Sequence, residues 1–463
     1  MQGLRHIARC VLVVPTALAT LAAPVGALAA PLGNLVQLPG TNACVSETGS
    51  SGNCVDGVAL DGADAGAVTK NGLFLYVVSA RSDAVATFQR SPSTGALIQL
   101  AGTAACVSET GTGGACSDGK GLAEPRGIAV SGDSKNVYVA STTSDGVAVF
   151  ARNLQSGVLT QLAGTAGCVT ETGTAGSCAD GIALQGARAI ALSPNGKSLY
   201  VAARDSDSVA AFARDRRTGA LTQLAGTAGC ISDSGTAGAC VNGVGLDFAT
   251  SVAVSPNGKN VYVTAAGSNA VAVFARDTKS GVLTQLAGKA GCVSEDGTGG
   301  LCADGQALLG AFAVAVSSDG KNVYVASRDS NAVAAFARDA KSGALTQLAG
   351  TAGCVSEDGT GGLCANGNAL VGPVSVTVAQ NGKNLYVTSE TSNSVTAFAR
   401  DARTGAITQL AGTDGCVSED GTGFSCADGV ALTEPRGVVL TRNGKHAYVT
   451  SSTSDAVAAF ARQ

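Results

Sequence analysis

Four charged residues, Asp64, Arg126, Arg188 and Arg436, stand at multiples of 62 residues from one another. Two residues before two of them lie Glu124 and Glu434, in the pair of segments Glu124-Pro-Arg126 and Glu434-Pro-Arg436. Guanidinium groups beside carboxylates can hold a carboxylate or a sugar acid through charge-assisted, two-pronged hydrogen bonds. Hydrolysis at such a place would use Glu124, Glu434 or Asp64 as base, with arginines stabilising an oxyanion. The same residues can also be read as structural ion pairs that plug a channel.

The spacing is the period of the whole chain. Tyr76, Tyr138, Tyr200, Tyr262, Tyr324, Tyr386 and Tyr448 account for all seven tyrosines, and Phe88 to Phe460 repeat in the same register. A period of this size containing several short strand patterns indicates propeller blades, each burying its faces against its neighbours. In the second copy four strands can be read, over residues 127–131, 136–141, 146–152 and 157–162. Ser-Pro-Asn-Gly-Lys at Ser193 and Ser255 supplies the tight turn between the first two strands. The expected fold is all-β: a single seven-bladed propeller of four-stranded blades. The opening segment, residues 32–38, resembles a fourth strand, and the last copy lacks one, so the N-terminal strand is expected to complete the last blade and close the ring.

Copies that serve only the blade should agree, so a ligand site should appear where they differ. The register of Asp64 reads Asp64, Arg126, Arg188, Thr250, Phe312, Val374 and Arg436; two residues earlier it reads Gly62, Glu124, Gly186, Phe248, Gly310, Gly372 and Glu434. In a closed ring Arg436, Asp64, Arg126 and Arg188 form one charged arc, opposite Phe248, Phe312 and Val374. Arg126, Arg188, Arg436, Phe248 and Phe312 are therefore the expected ligand-binding residues, for a small anionic or sugar-like ligand. Charges in the neighbouring turns (Arg81, Arg204, Asp205, Arg328, Asp329, Glu390) read as solvated. The series Asp83, Asp145, Asp207, Asn269, Asn331, Asn393, Asp455 reads as turn hydrogen bonding. No histidine reaches this face: His446 lies beside the Asn443-Gly-Lys445 turn.

Residues 1–29 read as a signal peptide, with Arg5 and Arg9 before an apolar run and Ala27-Leu-Ala29 as a cleavage site. The remaining residues, 30–463, make seven units of 62. Losing the two arginines takes the formal charge from −4 to −6. That balance, with no basic stripe in the sequence, argues against nucleic acid, and no later apolar run is long enough to span a membrane. A soluble monomer, periplasmic or secreted, is expected. Fourteen cysteines follow the signal, one pair per unit: Cys44 and Cys54, Cys106 and Cys116, Cys168 and Cys178, Cys230 and Cys240, Cys292 and Cys302, Cys354 and Cys364, Cys416 and Cys426. In an exported protein these read as seven local disulfides, each closing its own loop between a fourth strand and the next blade. No cofactor is expected. Oxygen ligands Glu295, Asp296 and Asp304 in one such loop offer a calcium alternative, though their spacing fits no established calcium loop.

The blade pattern Ser-Pro-Asn-Gly-Lys-x-[Val/Leu]-Tyr-Val, followed by Asp-x-Val-Ala-x-Phe-x-Arg-Asp, resembles the lactonase-like seven-bladed propellers and the related YVTN-repeat propellers. Tyr386-Val-Thr388 and Tyr448-Val-Thr450 nearly reproduce the latter's tetrad. The resemblance implies the fold, and among activities it implies lactone hydrolysis of the 6-phosphogluconolactonase type or muconate cyclisation. Surface proteins without chemistry share the same blade. Three readings follow: a binding or interaction scaffold with a small ligand or a protein partner, a lactone hydrolase, and a calcium-dependent surface or adhesive protein.

Overall fold

A computed structural model describes residues 33–463; the signal-peptide reading of residues 1–29 falls outside them. Seven sheets, antiparallel except at their outermost strand, stand in a ring, their innermost strands packed around a central channel. In the second blade the strands run Pro125–Val130, Asn136–Ser141, Gly146–Arg152 and Leu159–Gln161, from the channel outward. Each second strand is buried along its whole length, because neighbouring blades cover both of its faces. The core is accordingly shared between blades: Tyr138, Val147 and Val169 of the second pack with Leu199, Val201 and Phe212 of the third.

The expected turns form as their chemistry dictates. Ser193 Oγ donates to Asn195 Oδ1 and accepts from Ser198 N, Asn195 Oδ1 accepts from Lys197 N, and Gly196 takes the left-handed φ of 67°.

The outer edge differs from expectation. The fourth strand does not end at the cysteine loop: after a single 3-10 turn, Gly164–Gly167, it resumes as Cys168–Thr170 and pairs with residues 146–148. All seven disulfides form: Cys44 with Cys54, Cys106 with Cys116, Cys168 with Cys178, Cys230 with Cys240, Cys292 with Cys302, Cys354 with Cys364, and Cys416 with Cys426. Their Cα–Cα separations are 4.7–4.9 Å. Their setting is what the structure corrects, since neither half of a bridge lies in a free surface loop. The first cysteine of each pair sits in the sheet. The second ones, Cys54, Cys116, Cys178, Cys240, Cys302, Cys364 and Cys426, are buried and lead directly into a two-residue strand, Ala179–Asp180 in this blade. That strand pairs in parallel outside the first cysteine's strand. The cause is a reversal inside the loop, where Thr174 and Ala175 at φ of 46° and 52° bring the chain back alongside itself. Each bridge thus covers a sheet edge that would otherwise offer free backbone groups. The N-terminal strand Leu35–Gln37 pairs with the last strand, Leu35 opposite Arg462 and Gln37 opposite Phe460, so the ring closes as expected.

Each seam between blades carries the same latch. Tyr200 OH accepts from Arg276 Nε at 2.5 Å and donates to Gly281 O at 2.7 Å, both on the following blade. The other six tyrosines repeat it, and Arg90 with Tyr448 closes the ring. At that last seam His446 stands where five blades use asparagine or serine and the first uses Phe74, with Nδ1 2.5 Å from Arg90 Nη2. Burial, then the Arg90 charge, holds the imidazole below its ordinary value. A depressed histidine keeps its stabilising neutral form above the unfolded value of about 6.5 and loses it as pH falls through and below that value. His446→Asn should therefore flatten the acid limb of a stability–pH curve below about pH 6.5, by at most about 1.4 kcal/mol per pH unit. Parallel wild-type and variant curves in urea unfolding would refute this.

Candidate functional site

The mouth of the channel is built where the innermost strands begin. The residue two positions before the arc is left-handed in every blade, with φ of 72°, 67°, 63° and 71° at Gly62, Gly186, Gly310 and Gly372, and of 52°, 55° and 52° at Glu124, Phe248 and Glu434. Four blades use glycine, which bears that conformation without strain. The other three hold a glutamate or a phenylalanine there, at a cost of about 1 kcal/mol or more each. Since four blades need only glycine there, the glutamates and the phenylalanine are side chains that the blade itself does not require. The Asp/Asn series locks this position: Asp83 Oδ1 accepts from Glu124 N at 2.8 Å, Asp207 from Phe248 N at 2.8 Å and Asn393 from Glu434 N at 2.8 Å. The hydrogen bonds expected within turns thus reach across to the next blade.

Inside the rim, Asp64, Arg126, Arg188, Arg436, Thr250, Phe312 and Val374 line one cavity of about 210 Å3. The structure brings these register-mates together, yet it divides the arginines. Arg126 Nη1 donates to Asp64 Oδ2 at 2.7 Å and Nη2 to Glu124 Oε1 at 3.1 Å. Arg436 pairs with Glu390 and lies 3.5 Å from Glu434. These two arginines realise the ion-pair reading. Arg188 forms no hydrogen bond or ion pair among the described residues; its guanidinium stacks over Phe312, 4.7 Å from the ring centre. Burial between the channel walls, offset by Asp64 and reinforced by Arg126, Arg436 and Arg204, pushes it down to about 10, still protonated at neutral pH. It is an unmatched positive charge in a small cavity.

Asp64 is buried, and Arg126 occupies only its Oδ2. Its Oδ1 has no side-chain hydrogen-bond partner among the described residues. Glu124 and Glu434 are half exposed on the rim and held below the ordinary carboxylate range, Glu124 first by the Thr143 hydroxyl and Glu434 by those of Thr453 and Ser452. Phe248 stands 48% exposed outside the cavity under Arg204, 5.5 Å from its ring centre, rather than on an apolar inner wall. Phe312 likewise faces a cation.

Glu390 was missed. Read as a solvated turn charge, it is 4% exposed and bridges Arg328 and Arg436. A signal was present: Arg328 and Glu390 are one period apart, as are Asp64 and Arg126, so opposite charges in one register pair across a seam. In the cysteine loop, Glu295 Oε2 accepts from Leu308 N at 2.5 Å and Asp296 Oδ1 from Thr298 N at 2.8 Å, while Asp304 lies on the outer parallel strand. No three acidic, histidine or cysteine side chains gather to hold a metal among the described residues. His446 lies at the opposite end of the blade, near the tight turns.

The family model described as "Lactonase, 7-bladed beta-propeller" matches residues 177–234 and 303–415. No curated protein matches the chain in sequence. Among solved structures, one from Bacteroides uniformis provisionally named a 6-phosphogluconolactonase is 21% identical, with a TM-score of 0.52 over 74% of this chain and 82% of that one. The periplasmic gluconolactonase of Pseudomonas aeruginosa is 18% identical, with a TM-score of 0.51 over 74% and 83%. Hydrazine synthase of Kuenenia stuttgartiensis is 17% identical, with a TM-score of 0.50 over 88% and 97%. At such identities the likeness is one of fold, and the names it joins cover different chemistries. Seven sheets in a closed ring make the chain a seven-bladed β-propeller, and over residues 177–234 and 303–415 its sequence is similar to the lactonase family of such propellers.

Proposed function

We propose that the protein hydrolyses a lactone of sugar-acid size at this mouth. The observation that carries the reading is Arg188, an unpaired guanidinium in a cavity of about 210 Å3 that is also lined by Asp64, of which Arg126 engages only Oδ2. The family match and the gluconolactonase-named neighbours support it. In this scheme Arg188 donates to the lactone carbonyl oxygen. Water held by Asp64 adds to the carbonyl carbon and gives its proton to Oδ1, leaving an oxyanion against the guanidinium. The acyl–oxygen bond then breaks, the proton passes from Asp64 to the ring oxygen, and the resulting hydroxy acid releases its carboxyl proton to solvent, leaving a carboxylate that rests on Arg188. Arg126 positions Asp64, and Phe312 holds the guanidinium plane.

The test is turnover of a panel of sugar and aliphatic lactones by the oxidised protein, with Arg126→Ala/Arg188→Ala as control. Turnover that falls at least about a hundredfold in the double variant is expected. Absence of turnover, with the variant equally folded, would leave the second reading: a scaffold that binds a small anion or sugar acid at the same cation. The ion pairs that already occupy Arg126 and Arg436 favour that alternative.

A further inference from the structure

The molecule's larger concavity, about 910 Å3, opens at the other end of the channel, where the tight turns converge. Its lip carries Lys70, Arg216 and Arg442, with Gln380, Asn195 and Thr377 between them. Lys70, Arg442 and Gln380 occupy one register position on three consecutive blades, where other copies have Gly132, Pro194, Pro256 and Ser318. The copies disagree here as they do at the opposite mouth.

This lip is the centre of a strongly basic face. The turns between first and second strands and the connections between third and fourth strands lie together on it. They hold thirteen lysines and arginines against six aspartates, a net of +7 in a chain whose formal charge is −4. All thirteen cations are exposed and none forms an ion pair among the described residues. The six aspartates are engaged at home: Asp133 and Asp319 pair with buried Arg214 and Arg400, and Asp215, Asp277, Asp339 and Asp401 accept backbone N–H groups of their own turns. The rest of the molecule is correspondingly acidic.

We propose that this face docks an acidic polysaccharide, with one stretch of the chain seated in the basin. Charge complementarity supplies the attraction. The basin is concave, and its hydroxyls and amides (Thr69, Ser131, Asn195, Gln380) alternate with aliphatic Val68, Val130 and Val439, a mixture that suits the hydroxyls and C–H faces of a sugar ring, whereas a lipid surface would want a flat face with apolar anchors. The turns expose only Leu73 and Leu154 among large apolar side chains, and no aromatic ring. A partner held here leaves the opposite mouth open to solution, so the proposal stands whether or not that mouth is catalytic.

The test measures binding of the oxidised protein to oligogalacturonate by calorimetry at salt concentrations from about 20 to about 200 mM NaCl, with neutral dextran and vesicles containing anionic phosphatidylglycerol in parallel. Two double charge reversals are compared: Lys70→Glu/Arg442→Glu at the basin, and Lys120→Glu/Lys289→Glu, exposed at the cysteine-loop side. Expected are oligogalacturonate binding that weakens with salt, no dextran binding, and at least about a tenfold loss confined to the basin variant. All four substitutions fall on exposed turn or loop positions, and matching melting curves would confirm that both variants fold. No binding at the lowest salt, equal losses in both variants, or binding to vesicles but not to oligogalacturonate would each overturn the proposal.

Discussion

Taken from about pH 9 to about pH 12, the protein is expected to unfold in one steep transition, in which tyrosinate absorbance and loss of the far-ultraviolet β signal coincide. All seven tyrosines are fully buried in the blade seams. Burial, only partly offset by the neighbouring arginine, pushes Tyr76, Tyr138, Tyr262 and Tyr324 up to about 12, and raises Tyr200, Tyr386 and Tyr448 as well. A phenol whose folded value lies above its unfolded value of about 10 contributes stability that is whole below about pH 10 and is lost as pH climbs toward the folded value. A gap of that size between folded and unfolded values corresponds to about 2–3 kcal/mol for each phenol. Four or more acting in one ring exceed about 10 kcal/mol by pH 12, comparable to the whole stability of an ordinary domain, about 5–15 kcal/mol. The arginines cannot rescue the ring, because the phenol's proton is also the donor to the glycine carbonyl across the seam. Ionisation breaks that bond in all seven places. Tyrosines titrating near their unfolded value while the β signal persists would show that the seams are open to water and that the latch is not what holds them.

The tyrosine period made the fold legible, yet it did not reveal the latch. The arginines at the ends of the third strands repeat just as strictly, from Arg90 to Arg462. What the sequence could not show is that each reaches a tyrosine of the preceding blade, because blade-to-blade rotation is a three-dimensional fact. The cysteine pairing was legible from spacing alone, whereas the parallel strand that follows each second cysteine was not, since two residues carry no periodicity. The mouth was legible for a different reason. Asp64, Arg126, Arg188 and Arg436 depart from one register, and a closed ring brings departures in one register together. Their unequal standing was not legible: Arg126 and Arg436 meet Asp64 and Glu390 of the preceding blade, whereas the corresponding positions before Arg188 hold Arg126 and Thr142, neither of them an acid. Net charge misled most. A mildly acidic total hides a basic face, because turn residues that alternate along the chain are sorted by the antiparallel strands to opposite ends of every blade.

Reducing all seven disulfides should lower the melting midpoint by about 20 °C. Each bridge closes a separation of ten residues, and chain-entropy reasoning gives about 2–3 kcal/mol for a loop of that size. Seven of them sum to roughly 15–20 kcal/mol if the closed ring unfolds as a unit. Closure argues that it does, since the first and last segments share one sheet and no blade can leave without breaking two seams. An unfolding entropy of about 0.9 kcal/mol per kelvin for roughly 430 residues converts that sum to about 20 °C. The disulfides and the in-sheet position of each first cysteine agree with a protein that matures outside the cytoplasm, where such bridges persist. The measurement is a melting curve with and without a phosphine reductant, with free thiols counted to show that all fourteen have opened. A change below about 5 °C would mean that each bridge restrains only its own loop and that the seams, not the sulfurs, set the stability of the ring. A change near the full expected value would mean that export is a requirement of folding, because the chain made in a reducing compartment would lack the stability its edges depend on.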